Sequence, residues 1–272
     1  MTRTADRVTA AQLGGAGDVL SEEQVRTFIR DRLAAVDLDG RSVCVLVPDG
    51  TRSVPLPLLL SEVHAALHGR VSRLTVLVAL GTHAEMSETA LAAHTGGPYP
   101  GTAIVNHAWW DPSAFAEVGT IGGERIAELS EGRLEHTARV RINRHVVEHD
   151  VTLIVGPVFP HEVVGFSGGN KYLFPGVSGR ELIDLSHWLG ALITSARIIG
   201  TRGITPVRAL INEAASLGPG ERLCFSVVTQ SRTGNLHAIA FGSPEAAGRR
   251  RPASRPRRTS ATSTPPCGAC SR

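Results

Sequence analysis

Lysine is almost missing from this 272-residue sequence. Lys171 is the only one, and 27 arginines supply the remaining positive side chains. Where an ordinary cation is wanted the chain uses Arg, so a single amine needs a reason of its own. A run of about 18 apolar residues is also missing, which argues against a transmembrane helix. The opening MTRTADRVTAAQLGG has no apolar stretch of the kind a secretory signal needs. Cysteine is sparse, at positions 44, 224, 267 and 270. Nothing in that spacing forms a disulfide framework, so a cytoplasmic location is expected. Cys44 falls in an apolar run and reads as a small buried residue. Cys267-Gly-Ala-Cys270 is a lone CxxC without companion ligands, a weak metal signal. A basic stripe is lacking too. Seven arginines lie in residues 248–272, with no Asp, Glu or Lys there, so the formal +3 of the whole chain becomes −4 for residues 1–247. The body of the chain therefore gives no reason to expect a nucleic-acid partner.

Hydrophobic residues at 42% are enough for a substantial core. Short apolar runs alternate with amphipathic stretches. Strands are expected at 42–48, 73–80, 102–106 and 151–156, and helices at 18–36, 56–68, 85–94, 180–197 and 205–217. Two further strands, 222–228 and 236–242, are joined by the turn QSRTGN. Residues 117–149 read as a strand-rich insertion. Continuous apolar strands in βαβ alternation predict an α/β, Rossmann-like fold with a mostly parallel sheet and helices on both faces.

Ligands of such sheets sit outside the C-terminal strand ends. Three polar clusters fall there: Asp49-Gly50-Thr51-Arg52, Gly81-Thr82-His83, and the stretch from His161 to Lys171. They are expected to converge on one cleft. Each also has a plain reading. Asp49-Gly50 can be a turn with Arg52 in a surface ion pair. His83 can be a structural cap, and His161 an exposed loop residue. His187, beside Trp188 on an amphipathic helix, reads by itself as packing. Lys171 resists a plain reading, because amines differ from guanidinium in nucleophilicity and in forming covalent bonds to cofactors. The glycines before it (GFSGGN) suit close approach of backbone N–H groups to an anion, although neither a Walker loop nor a GxGxxG fingerprint is present.

PDGTR (48–52), ALGTH (79–83), Asn106-His107, PHEVVGFSGGNKYLFPG (160–176) and SHWLG (186–190) together resemble the nickel-pincer lactate racemase family, over about residues 40–247. The resemblance implies a pyridinium-3-thioamide-5-thiocarboxylic acid mononucleotide that holds nickel through one carbon and two sulfurs. It implies covalent attachment at Lys171 and a fourth nickel ligand at His187, a chemically sensible square-planar donor set. Gly165, Ser167, Gly168 and Gly169, with Thr51, would bind the cofactor and cradle its phosphate. His83 and His161 stand where the family has its two catalytic histidines, a pair because racemisation needs a base on each face of the carbon. Asp49 would orient His83 or the substrate, and Arg52 would hold the substrate carboxylate in its planar fork. The implied activity is that of an isomerase. It would racemise or epimerise a 2-hydroxy acid, lactate first, by reversible hydride transfer to the tethered cofactor. The implied partners are that small acid and the proteins of cofactor synthesis and nickel insertion, with no nucleic acid and no membrane.

The family carries a second domain, with the cofactor between the two. Here the resemblance stops near residues 245–247 and an Arg/Pro/Ser tail follows. The expected organisation is an N-terminal catalytic domain over 1–247, with the second domain missing. A disordered tail over 248–272 reads as a frameshift. Half a cleft would admit water to the reacting carbon. Two other readings therefore stand beside the racemase. One is a truncated, non-catalytic fragment that binds the cofactor or a sugar phosphate. The other is a different lysine-dependent, Schiff-base enzyme.

Overall fold

A computed structural model describes residues 9–230 and 234–245. The expected tail over 248–272, with its CxxC, and residues 231–233 of the expected turn lie outside the described residues. Along the chain the elements are β1 (Ala11–Gly14), α1 (Glu22–Ala34), β2 (Ser42–Pro48), α2 (Leu56–Leu67), β3 (Arg73–Ala79), α3 (Glu88–Thr95), β4 (Thr102–Asn106), β5 (Phe115–Ile121), α4 (Gly123–Leu129), β6 (Ala138–Asn143), α5 (Arg144–Val147), β7 (Val151–Pro157), β8 (Pro160–His161), β9 (Gly165–Phe166), α6 (Arg180–Ile193), α7 (Ser195–Ile198), α8 (Pro206–Leu217), β10 (Glu221–Thr229) and β11 (Leu236–Gly242).

Seven strands form one sheet in the order β1-β11-β10-β7-β2-β3-β4. β10, β7, β2, β3 and β4 run parallel, and β11 runs antiparallel to both of its neighbours. This is the mostly parallel, helix-covered sheet that the alternation predicts. Successive residues of β2 point to opposite faces. Val43, Val45 and Val47 pack with α1 and α2, and Cys44 and Leu46 pack with α6 and α8. Both faces are covered, so β2 and β7 carry almost no polar side chains, which is why they are legible as apolar runs.

Element ends follow local chemistry. α1 starts at Glu22, not 18, because Ser21 and Gln24 form a reciprocal capping box. α3 starts at Glu88, where the Ser87 hydroxyl accepts from the Ala90 N–H. Before it, the Asn106 side chain clasps the Met86 backbone outside the helix. The helix expected over 180–197 breaks at Thr194, a β-branched residue with φ 79°. The expected insertion is one antiparallel pair, β5–β6, with α4 between the strands and α5 after them. Edge strand β1 had no alternation to announce it.

The strand order sets the position of the site. From β2 the chain steps outward to β3 and β4, then crosses back to β7 on the other side of β2 and continues to β10. β2 and β7 therefore flank the topological switch point, where loops at the C-terminal strand ends diverge and leave a crevice.

Candidate functional site

One cleft of about 210 Å³ opens there, lined from four separate segments. Asp49 and Arg52 come from the loop after β2, and Thr82 and His83 from the loop after β3. Phe159, His161, Glu162, Ser167, Gly168, Lys171 and Tyr172 follow β7, and His187 comes from α6. Of the residues singled out in the sequence, Asp49, Arg52, His83, His161, Ser167, Gly168, Lys171 and His187 line this cleft. Thr51, Gly165 and Gly169 are not among its lining residues.

Asp49 is buried and His83 is half exposed beside it. The Asp49 carboxylate meets His83 Nδ1 through Oδ2 and accepts from the Thr51 hydroxyl through Oδ1 at 2.6 Å and from the Thr51 N–H at 3.2 Å. Burial would raise the Asp49 carboxyl, but the hydrogen bonds from His83 and Thr51 outweigh it and hold it below its ordinary value. With Nδ1 directed at a carboxylate, Nε2 of His83 is left with the lone pair. The His83 backbone is fixed as well: its N–H donates to Leu80 O at 2.9 Å, and its carbonyl accepts from Trp109 Nε1 at 2.9 Å.

His161 is buried, at 4% exposure, unlike an ordinary loop histidine. It lies in the short antiparallel pair β8–β9, opposite Gly165. Its Nδ1 accepts from the Val163 N–H at 3.1 Å, so the neutral ring carries its proton on Nε2. Burial first, then the charges of Lys171 and Arg52, pushes its pKa well below the usual histidine value, and it is neutral at neutral pH.

The Arg52 guanidinium carbon lies over the Phe159 ring, 5.2 Å from its centroid, a cation–π contact. Lys171 sits in a 3-10 turn, Gly169–Tyr172, that opens at Gly168. Gly168 has φ +83° and a Cβ there would stand 2.6 Å from Val158 Cγ2, so only glycine fits this corner. Burial, and then Arg52 and Arg208, lower the Lys171 amine to about 8. His187 Nδ1 donates to Ile183 O at 2.7 Å along α6, leaving Nε2 with its lone pair. That backbone tie is the usual partner of a metal-ligating imidazole.

Ser167 lines the cleft, but its hydroxyl is already committed. It accepts from the Phe159 N–H at 3.0 Å and donates to Pro157 O at 3.2 Å, stapling the loop to the end of β7. Gly165 packs against the α7–α8 connection, and Gly169 against Pro244. Thr51 serves Asp49. Glu162, Phe159 and Tyr172 also line the cleft without having been singled out in the sequence. Arg208, in the first turn of α8, grips the loop from behind. Glu162 could have been suspected from its place beside His161, whereas Arg208 has no local signal at all.

Among the described residues, no group of three or more His, Cys, Asp or Glu is arranged to hold a metal ion. Nor is any helix there long and apolar enough to cross a membrane.

Comparison with known proteins gives one consistent family. A family profile described as the lactate racemase N-terminal domain matches residues 22–199. The lactate racemase of Thermoanaerobacterium thermosaccharolyticum is 28% identical over 153 residues, 54% of this chain and 32% of that one. The lactate racemase of Lactiplantibacillus plantarum is 26% identical over 164 residues, 58% of this chain and 35% of that one. A crystal structure of a protein from Thermotoga maritima superposes with TM-score 0.76 at 26% identity, covering 86% of this chain and 57% of that chain. The lactate racemase apoprotein of T. thermosaccharolyticum superposes with TM-score 0.65 at 24% identity, covering 84% and 54%, and supports the fold. The matched segment spans about a third of the curated relatives and a little over half of the two solved chains.

Proposed function

Because the chain belongs to the lactate racemase N-terminal domain family, we propose that it carries the lysine-tethering, acid–base side of a 2-hydroxy acid racemase or epimerase, with lactate the first substrate to test. The observation that carries this reading is the cleft itself. Asp49, Arg52, His83, His161, Lys171 and His187, spread over 139 positions of sequence, line one crevice.

The residues present fit a lysine-bound, nickel-holding pyridinium. Lys171 is an amine lowered to about 8, which enlarges the free-base share that covalent attachment requires. His187 offers a single imidazole Nε2 backed by a carbonyl. A pincer group brings three donors of its own and asks for one more, so a cluster of protein ligands is not needed. Gly168, packed against Val158 with φ +83°, forms the tight corner that opens the lysine turn. When bound, such a group would supply a reversible hydride acceptor.

This chain's residues supply the proton chemistry. Arg52, seated over the Phe159 ring, holds the substrate carboxylate. His83, tied through Nδ1 to Asp49, takes the hydroxyl proton on Nε2. His161, neutral in the resting cleft, would return a proton to the substrate oxygen after being protonated itself, the proton taken by His83 passing to solvent and one from solvent reaching His161. One histidine thus works as base and the other, once protonated, as acid, and exchanging those roles runs the reaction backward. Asp49 orients His83, and Thr51 orients Asp49.

The test is co-expression with the proteins of cofactor synthesis and nickel insertion. Nickel content and the mass of the Lys171 peptide are then measured, with Lys171→Arg as the control. About one nickel per chain and a mass adduct on Lys171, both lost in the control, are expected. A folded protein with neither would sink the proposal.

A further inference from the structure

The loop that carries Lys171 is held by α8 at alternate carbonyls. Thr205, the N-cap of α8, donates its hydroxyl to Val164 O at 3.4 Å and accepts from the Arg208 N–H at 3.2 Å. Arg208 then reaches the next two carbonyls in the series, Phe166 O through Nη2 and Gly168 O through Nη1 at 3.1 Å. Gly168 O also accepts the Lys171 backbone N–H, at 3.3 Å, to close the 3-10 turn. The guanidinium and the lysine turn therefore share one oxygen atom.

We propose that Arg208 is a positioning residue for Lys171, holding the turn that aims the amine into the cleft and setting the reactivity of that amine. The inference rests on the reading that Lys171 is the attachment point, and it concerns a residue outside the cleft lining. Three features carry it. The contact is a fork across two carbonyls, a geometry that Arg provides and Lys does not. Its anchor is the first turn of a twelve-residue helix whose apolar face is packed into the core through Val207, Leu210 and Ile211. The carbonyl it holds is the one that begins the Lys171 turn. The charged groups around the amine are Arg52 from the β2 loop, Arg208 from α8, Glu162 and His161 from the β8–β9 pair, and Asp49. Two cations against two carboxylates and a neutral imidazole favour the free base, because burial weakens the ammonium first. Removing one cation shifts that balance toward the ammonium.

Lys171 is the only lysine, so amine labelling reads it almost alone. The experiment is trace acetylation with acetic anhydride at a series of pH values, followed by mass spectrometry of the Lys171 peptide. The proteins are the wild-type chain, Arg208→Gln, Arg208→Glu and Thr205→Val, each checked for native circular dichroism. The labelling midpoint is expected to rise in the order Arg, Gln, Glu, with labelling at pH 7 slowed about threefold or more in Arg208→Gln. Thr205→Val loosens the same loop without altering charge and is expected to leave the midpoint in place. An unchanged midpoint in folded Arg208→Gln and Arg208→Glu would overturn the inference. So would a shift in Thr205→Val as large as that in Arg208→Gln, which would mark the effect as loop loosening alone. No cofactor takes part in this assay. If Lys171 fails to load nickel while the ordered shift appears, the functional reading falls and the role of Arg208 stands.

Discussion

Replacing Lys171 by methionine is expected to make the folded protein more stable at neutral pH. In the cleft the amine titrates at about 8 instead of 10.5, first because burial disfavours the ammonium, then because Arg52 and Arg208 repel it. At about 1.4 kcal/mol per pH unit, that difference corresponds to roughly 3 kcal/mol of destabilisation carried by the charged form. The unfolded chain keeps the lysine proton up to about pH 10.5, and the native chain releases it near 8. Between those values the unfolded state binds more protons, so stability from this group rises with pH. Below about 8 the whole penalty is present, and above 10.5 it is gone. Methionine keeps the apolar stem and removes the charge. K171M should therefore gain up to about 3 kcal/mol over wild type at pH 7, a gain that nearly vanishes by pH 10.5.

Urea unfolding followed by far-ultraviolet circular dichroism at both pH values measures this directly. The buried Cys44 and Cys224 thiols, pushed up to about 12, also titrate in the alkaline range. They are present in both proteins and cancel in the difference. A K171M protein no more stable than wild type at pH 7 would refute the reasoning, as would a gap of equal size at the two pH values. The expected result would make Lys171 a group kept against stability, as a site that needs a reactive amine requires.

Two further outcomes follow from packing and hydrogen bonding. Gly156→Ala in β7 would place a Cβ over the hydroxyl and ring of buried Tyr172, the neighbour of Lys171. It should destabilise by about 1–3 kcal/mol, read as a lower urea midpoint, and a midpoint equal to wild type would show that the ring moves aside freely. Asp49→Asn removes a buried carboxylate that accepts from both His83 and Thr51, and should lose about 1–2 kcal/mol at pH 7. The Asp49 carboxyl titrates lower in the native state than in the unfolded chain, so its contribution is present above pH 3.8 and lost as pH falls through its native value. The gap between the two proteins should close in acid, and a gap constant down to pH 2 would contradict that account.

What could be read in the sequence and what could not divide along physical lines. β2 and β7 are buried on both faces, and a strand in that position has to be written as SVCVLVP or VTLIVGP, so its place was visible without coordinates. The clustering of Asp49, His83, His161 and Lys171 was visible for a related reason: each follows a strand, and parallel strands all deliver their loops to one end of the sheet. Helix boundaries were visible only to within a turn, because one side chain, such as Ser21 or Thr194, decides where the backbone hydrogen bonding starts or stops. The roles of Ser167, Thr51 and Arg208 were hidden, because each depends on which carbonyl or carboxylate the fold brings within reach. Ser167 and Thr51 belong to motifs that suggest a phosphate cradle, yet their hydroxyls are taken by Pro157 and Phe159 in one case and by Asp49 in the other. Among the described residues, some motif side chains thus face the cleft with an atom for chemistry, such as Nε2 of His83, His161 and His187, the Arg52 guanidinium and the amine of Lys171, and others hold these in place. Sequence shows that both sets belong together; only the hydrogen bonds show which residue is in which set. Arg208, forty positions past Gly168, belongs to the second set, and its membership is written in the fold alone.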